Sequence, residues 1–177
     1  MKSYNEYGYA LFTLSSEDGS IEEMLADVRS ADKALSENPD YLKLMDTPAV
    51  ARDEKLTLID EAFGTLRTDL VSLIKILAGK RMLYSYREVF DSFYSAYDEY
   101  RGIERVEALT AIKMTDEQIG RLTEKLHALT GKTVIVKNTV TPEILGGVML
   151  RYSGIQLDGS VKSRLDAFSE RLKNIVI

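Results

Sequence analysis

From residue 3 to residue 102 one pattern recurs. Apolar residues stand three and four apart, and the runs are broken by proline, glycine or a capping residue. After Arg101-Gly102 a second pattern enters, in which apolar and other residues alternate one by one between helical stretches. Period 3.6 and period 2 bury different faces, so one layer of structure does not serve both halves. The expected fold is mainly α with a small α/β part. Residues 1–102 would form an N-terminal six-helix bundle, and residues 103–177 a small mixed α/β domain of the size that is marginal alone.

The first half resolves into helices as follows. An opening helix covers about 4–15. Ser20-Ile21-Glu22-Glu23 has the form of a capping box, followed by the stripe Ile21, Met24, Leu25, Val28 and Leu35. Asn38-Pro39 and Thr47-Pro48 each put a cap residue before a first-turn proline, so helices restart near 39 and 48. Leu56, Ile59, Ala62 and Phe63 stripe the fourth helix, which stops at Gly64. A fifth covers 66–79. A long sixth carries Val89, Phe90, Phe93, Tyr97 and Tyr100. In the second half, Val106, Ala108, Thr110 and Ile112 mark a strand. Thr115-Asp116-Glu117-Gln118 is a second capping box, and the helix it starts runs through Ile119, Leu122, Leu126 and Leu129 to Gly131. Strands follow at Thr133–Val136 and Leu145–Tyr152, the latter opened by Gly146-Gly147. Asp158-Gly159 reads as a turn. Ser160 would cap a last helix with Val161, Leu165, Phe168, Leu172 and Ile175 facing inward.

Several functions are excluded by composition. A net charge of -5 argues against nucleic acid and against direct attachment to anionic lipid. No cysteine means no disulfide, thiol catalysis or iron–sulfur cluster, and a single His, His127, does not build a typical zinc site. His127 near a helix C-terminus is explained by the helix dipole. No Gly-x-Ser-x-Gly elbow flanks a serine. The carboxylate pairs Glu22-Glu23, Asp53-Glu54 and Asp60-Glu61 read as solvated helix faces. Gly131-Lys132-Thr133 resembles the end of a phosphate loop, but Leu126 stands where the first glycine belongs, and the helix comes before the motif instead of after it. No catalytic residue, metal or cofactor is expected. The N-terminus lacks the apolar run of a signal peptide, no stretch reaches the roughly 18 apolar residues of a membrane span, and the sequence reads as a complete bacterial-type chain or a processed organellar one.

What stands out instead is apolarity on too many sides. Tyr7, Ala10, Leu11 and Leu14 form one ridge of the opening helix, while Tyr9 and Phe12 point elsewhere. The helix at 66–79 carries Leu66, Leu70, Val71, Leu73, Ile74, Ile76 and Leu77, with a narrow polar side at Thr68, Ser72 and Lys75. Either both helices are central, or they line a groove that takes an amphipathic helix from a partner. Tyr84, Tyr86, Tyr94, Tyr97 and Tyr100 cluster likewise, as a binding face or as core with a wet margin.

The stretch Leu145-Gly146-Gly147-Val148-Met149-Leu150-Arg151, then Leu157-Asp158-Gly159-Ser160-Val161-Lys162-Ser163-Arg164-Leu165, resembles the delta subunits of bacterial rotary ATP synthases, relatives of the mitochondrial oligomycin-sensitivity-conferring protein. Tyr7–Phe12, Lys55-Leu56, Arg81, Tyr97-Asp98-Glu99 and Leu129-Thr130-Gly131-Lys132 fit the same family; Gly79-Lys80 stands where the family has Asn-Gly. The resemblance implies a non-catalytic stator subunit. Its first and fifth helices would grip the N-terminal helix of an alpha subunit, and its C-terminal domain would hold the C-terminal region of subunit b. The membrane would be reached only through subunit b, at the cytoplasmic face of the bacterial plasma membrane. On this basis Tyr7, Ala10, Leu11, Leu14, Leu70, Leu73, Ile74 and Leu77 are the expected groove. Gly146, Gly147, Asp158, Gly159, Ser160 and Arg164 form a structural family motif, with Asp158-Gly159-Ser160 as turn and helix cap.

Overall fold

The structure is a computed structural model; it describes residues 4–152 and 155–160. Its elements in chain order are α1 (Tyr4–Glu17), α2 (Ile21–Glu37), α3 (Pro39–Asp46), α4 (Arg52–Phe63), α5 (Thr68–Gly79), a single 3-10 turn at Leu83–Ser85, α6 (Tyr86–Tyr100), β1 (Ile103–Thr110), α7 (Asp116–Thr130), β2 (Thr133–Val140), β3 (Gly147–Tyr152) and β4 (Ile155–Ser160). Two compact units divide the chain, Met1–Asp98 and Glu99–Ile177.

In the first unit the helices bury what their periodicity offers. α2 buries Ile21, Met24, Leu25, Val28, Ala31 and Leu35, and α6 buries Val89, Phe90, Phe93, Ala96 and Tyr97. α5 is the central helix: Leu70, Val71, Leu73, Ile74, Leu77 and Ala78 are all buried. Each of the Val, Leu, Ile, Met and Phe side chains among them contributes roughly 1.5–3 kcal/mol on leaving water. Arg67 ties α5 to α2. Its backbone N–H donates to the Asp27 carboxylate at 2.8 Å, and its guanidinium reaches Glu23 at 3.1 Å.

Three helix starts differ from expectation. Ser20 makes no side-chain cap hydrogen bond; its N–H donates to Ser15 O as Gly19 N–H donates to Ser16 O, so its amide closes α1 while its carbonyl, accepting from Met24 N–H, opens α2. With φ -111° and ψ 27° it lacks the extended backbone of an N-cap. Asn38 also spends its amide on the preceding helix, donating to Ala34 O, though Pro39 does start α3. Pro48 does not start a helix at all: α4 begins at Arg52, and Thr47 Oγ1 donates back to Lys43 O.

The second unit holds a four-stranded sheet in the order β2-β1-β3-β4. β1 and β2 run parallel, with Val106 opposite Val136, and α7 connects them. β3 is antiparallel to both β1 and β4. The Thr115 capping box is present in both directions: Gln118 N–H to Thr115 Oγ1 at 3.3 Å, and Thr115 N–H to Gln118 Oε1 at 2.9 Å. Gly131, at φ 69°, closes α7 in the left-handed conformation. Asp158-Gly159 is not a turn. Both residues lie inside β4, opposite Met149 and Val148. The expected last helix, with Arg164, lies outside the described residues.

Candidate protein-binding face

α1 and α5 lie side by side, and only part of the expected groove is surface. Leu11, Leu70, Leu73, Ile74 and Leu77 are buried core residues, each 7% exposed or less. They hold the helices in place and offer little to a partner. Tyr7 is half-buried, and Ala10 and Leu14 are exposed. On α5 the exposed apolar residue is Ile76, at 46%, one position before the buried Leu77. Ile76 lies four residues before Lys80, whose ammonium donates to the Tyr7 hydroxyl. It approaches Tyr7 from the oxygen end, 5.2 Å from the ring centroid, so the contact is a hydrogen bond more than a cation–π pair. The face offered to solvent is therefore Ala10, Leu14 and Ile76, with the Tyr7–Lys80 pair bridging the helices beside them.

What positions α1 is a glycine. A Cβ at Gly8 would strike Val89 O and come within 2.8 Å of Phe93 N, both main-chain atoms of α6. The two backbones meet here, and the contact is reinforced by Ser92 Oγ–H donating to Asn5 O at 2.7 Å and by the edge-on Phe12–Phe93 pair, 6.1 Å between centroids. With one side against α6 and Tyr7 against α5, α1 keeps the Ala10–Leu14 side free. Neither Gly8 nor Ile76 was among the expected site residues. A glycine within a helical stripe was the available signal for the first.

The tyrosine cluster divides. Tyr86 and Tyr97 are core, Tyr97 donating to Glu22, while Tyr84 and Tyr100 are about 60% exposed. Burial pushes Tyr94 up to about 12, helped by the charge of Asp32.

In the second unit the described residues of the family motif lie at the start of β3 and within β4. Gly146 and Gly147 have φ of 154° and 83°, which lets the chain swing into β3. A Cβ at Gly159 would stand 2.9 Å from Val148 O. Gly147 pairs with Ser160 in the β3–β4 register, and Asp158 pairs with Met149. Lys132 does not face a phosphate site: its ammonium is held by Glu104 at 2.9 Å, which raises its pKa, and its carbonyl lies 2.6 Å from His127 Nδ1. Among the described residues no cluster of three His, Cys, Asp or Glu is placed to hold a metal, and no helix is long and apolar enough to cross a membrane.

The sequence profile described as ATP synthase delta (OSCP) subunit matches residues 4–172. The chain belongs to that family. Relatives in the delta (OSCP) family include the ATP synthase subunit delta of Rhodopirellula baltica, 33% identical over 90% of this chain and 71% of its own length. The subunit delta of Carboxydothermus hydrogenoformans is 32% identical over 90% of each chain. A chain in the cryo-EM structure of the Toxoplasma gondii mitochondrial ATP synthase hexamer shares the fold, with TM-score 0.75, 21% identity, and 97% and 98% of the two chains covered. In this family member seven α-helices and a four-stranded mixed sheet are described.

Proposed function

We propose that this chain is a non-catalytic stator subunit of a rotary, proton-translocating ATP synthase. Its N-terminal six-helix bundle takes the N-terminal helix of an alpha subunit across α1 and α5. Its C-terminal unit takes the C-terminal region of subunit b, the peripheral stalk. The catalytic head is thereby kept from turning with the rotor. The chain sits at the cytoplasmic face of the bacterial plasma membrane and reaches the bilayer only through subunit b.

The observation that supports this is exposed apolar surface on two adjacent helices of a delta-family chain, Ala10 and Leu14 on α1 and Ile76 on α5. Apolar surface of that kind suits an amphipathic helix with anchors three and four residues apart. The Tyr7–Lys80 pair supplies a polar edge that fixes register. A nanomolar grip corresponds to about 12 kcal/mol.

Calorimetric titration with a peptide from the N-terminus of the same organism's alpha subunit tests it. Saturable one-to-one binding is expected. Ala10→Asp, on an exposed position, should weaken it about tenfold or more while circular dichroism is unchanged, because a charge would be desolvated in an apolar contact. Equal affinity for the two proteins would refute the assignment of this face.

A further inference from the structure

On the α4 side of α5, a cavity of about 290 Å³ is lined by three cations, Arg52, Lys55 and Arg81, and by no acidic residue. In a chain of net charge -5 such a grouping is unusual. Asp53 and Glu54 occupy the same first turn of α4 yet do not line the cavity. Among the described residues neither the Arg52 nor the Arg81 side chain has a hydrogen bond or ion pair. Lys55 is buried, 7% exposed, and its ammonium has one acceptor, Thr47 O at 2.8 Å. That bond accounts for one of its three donors. The N-terminus of α4, without a side-chain cap, also ends here and adds a positive dipole.

Arg81 makes the grouping more than a chance of surface charge. It is the only non-glycine residue with positive φ among those described, at 56°. Its N–H bonds Ala78 O and Met82 N–H bonds Leu77 O, so Arg81 holds the left-handed position that closes α5. Glycine occupies that position without steric cost, and does so at Gly19 and Gly131 in this same chain. A backbone that favours glycine but carries arginine indicates that the side chain has a use.

We infer that the Arg52–Lys55–Arg81 cavity binds a carboxylate, the side chain of an acidic residue on a partner polypeptide. The cavity lies at the small end of ligand pockets, too confined for a nucleotide. Val50, Leu56 and Ala78 line it beside the cations and suit the aliphatic stem of a glutamate. Paired guanidinium groups suit the planar carboxylate. The site is separate from the α1–α5 face and does not rest on what binds there.

The test uses the full chain, labelled with ¹⁵N, titrated with glutarate at constant ionic strength and, in parallel, with inorganic phosphate and with chloride. Saturable shifts confined to the amides around Arg52, Lys55 and Arg81 are expected with glutarate. Arg81→Gly should weaken binding about tenfold or more, the loss of one charge-assisted pair, while the melting temperature holds or rises because the left-handed position is relieved. Arg52→Gln, at an exposed position, should weaken it similarly. Shifts that do not saturate, that chloride reproduces, or that persist at equal affinity in both variants would overturn the proposal. Binding of phosphate without glutarate would overturn it in favour of a phosphate ligand.

Discussion

Replacing Gly8 by alanine tests the arrangement of α1 by the sign of the effect. Helix propensity alone predicts stabilisation of about 1 kcal/mol, since glycine is a poor residue inside a helix. The contact with α6 predicts the reverse. A methyl at Gly8 meets Val89 O and stands 2.8 Å from Phe93 N and Ser92 Cβ. The first two are main-chain atoms in the middle of a helix, and no rotamer change removes them. α1 must lift. Lifting opens the Phe12–Phe93 edge contact and the 2.7 Å hydrogen bond from Ser92 to Asn5 O. Overpacking costs about 1–3 kcal/mol, the aromatic pair about 0.5–1.5 and the hydrogen bond about 1, which after the propensity gain of about 1 leaves a net loss of about 1.5–4.5 kcal/mol. Urea unfolding followed by helical circular dichroism measures it. A Gly8→Ala midpoint at or above that of the parent would refute the backbone contact, and with it the account of why the Ala10–Leu14 side is left free.

Neighbouring residues of α5 should behave oppositely. Leu77→Ala should cost about 2–5 kcal/mol because the side chain is fully buried, whereas Ile76→Ala, at 46% exposure, should stay within about 0.5 kcal/mol in thermal unfolding. Ile76→Asp should weaken the alpha peptide in calorimetry without lowering the melting temperature appreciably. Thr115→Ala removes one half of the α7 capping box and should cost about 1 kcal/mol, read as faster hydrogen exchange at Gln118 and its neighbours. Asp91, a largely exposed residue, has its pKa raised first by partial desolvation and next by the charges of Asp32 and Glu88. Its folded form therefore holds the proton to higher pH than its unfolded form. The penalty is absent below the ordinary carboxylate range and complete above the raised value. Asp91→Asn should accordingly stabilise at neutral pH, by no more than about 0.5 kcal/mol at so exposed a site, and the gain should vanish as the pH falls below about 4.

The helical order of the first hundred residues was legible because the stripes bury one face: the core of α2 contains its whole stripe, and that of α6 all of its stripe except the exposed Tyr100. The caps divided by what the residue's backbone was already doing. Thr115 follows a loop and was free to take the extended N-cap conformation. Ser20 follows α1 so closely that its N–H is used to finish that helix, and its hydroxyl is left buried without a partner. Burial of the expected groove residues was only partly legible. That α5 is apolar on most sides was evident, but five of the eight expected groove residues are buried, Leu11 on α1 and four on α5 that make α5 central. Periodicity identifies which residues leave water; it does not say whether another helix of the same chain or a partner removes them. Asp158-Gly159 misled because Asp-Gly is a strong turn signal. Here the glycine answers to a neighbour, Val148 O, rather than to a left-handed φ.

The meeting of Gly8 with Val89 and Phe93 also orders events in time. α1 leaves the ribosome before α2 to α6, and the surface it docks on is made some 85 residues later. At translation speeds of about 5–20 residues per second, Leu11 and Phe12 wait roughly 4–17 s for α6. Meanwhile α2 to α5 are synthesised, and α5 offers α1 its other wall through Tyr7 and Lys80. The unit is thus closed by its two ends meeting, and a nascent chain stalled before Phe93 would expose an apolar N-terminal helix with one flank uncovered.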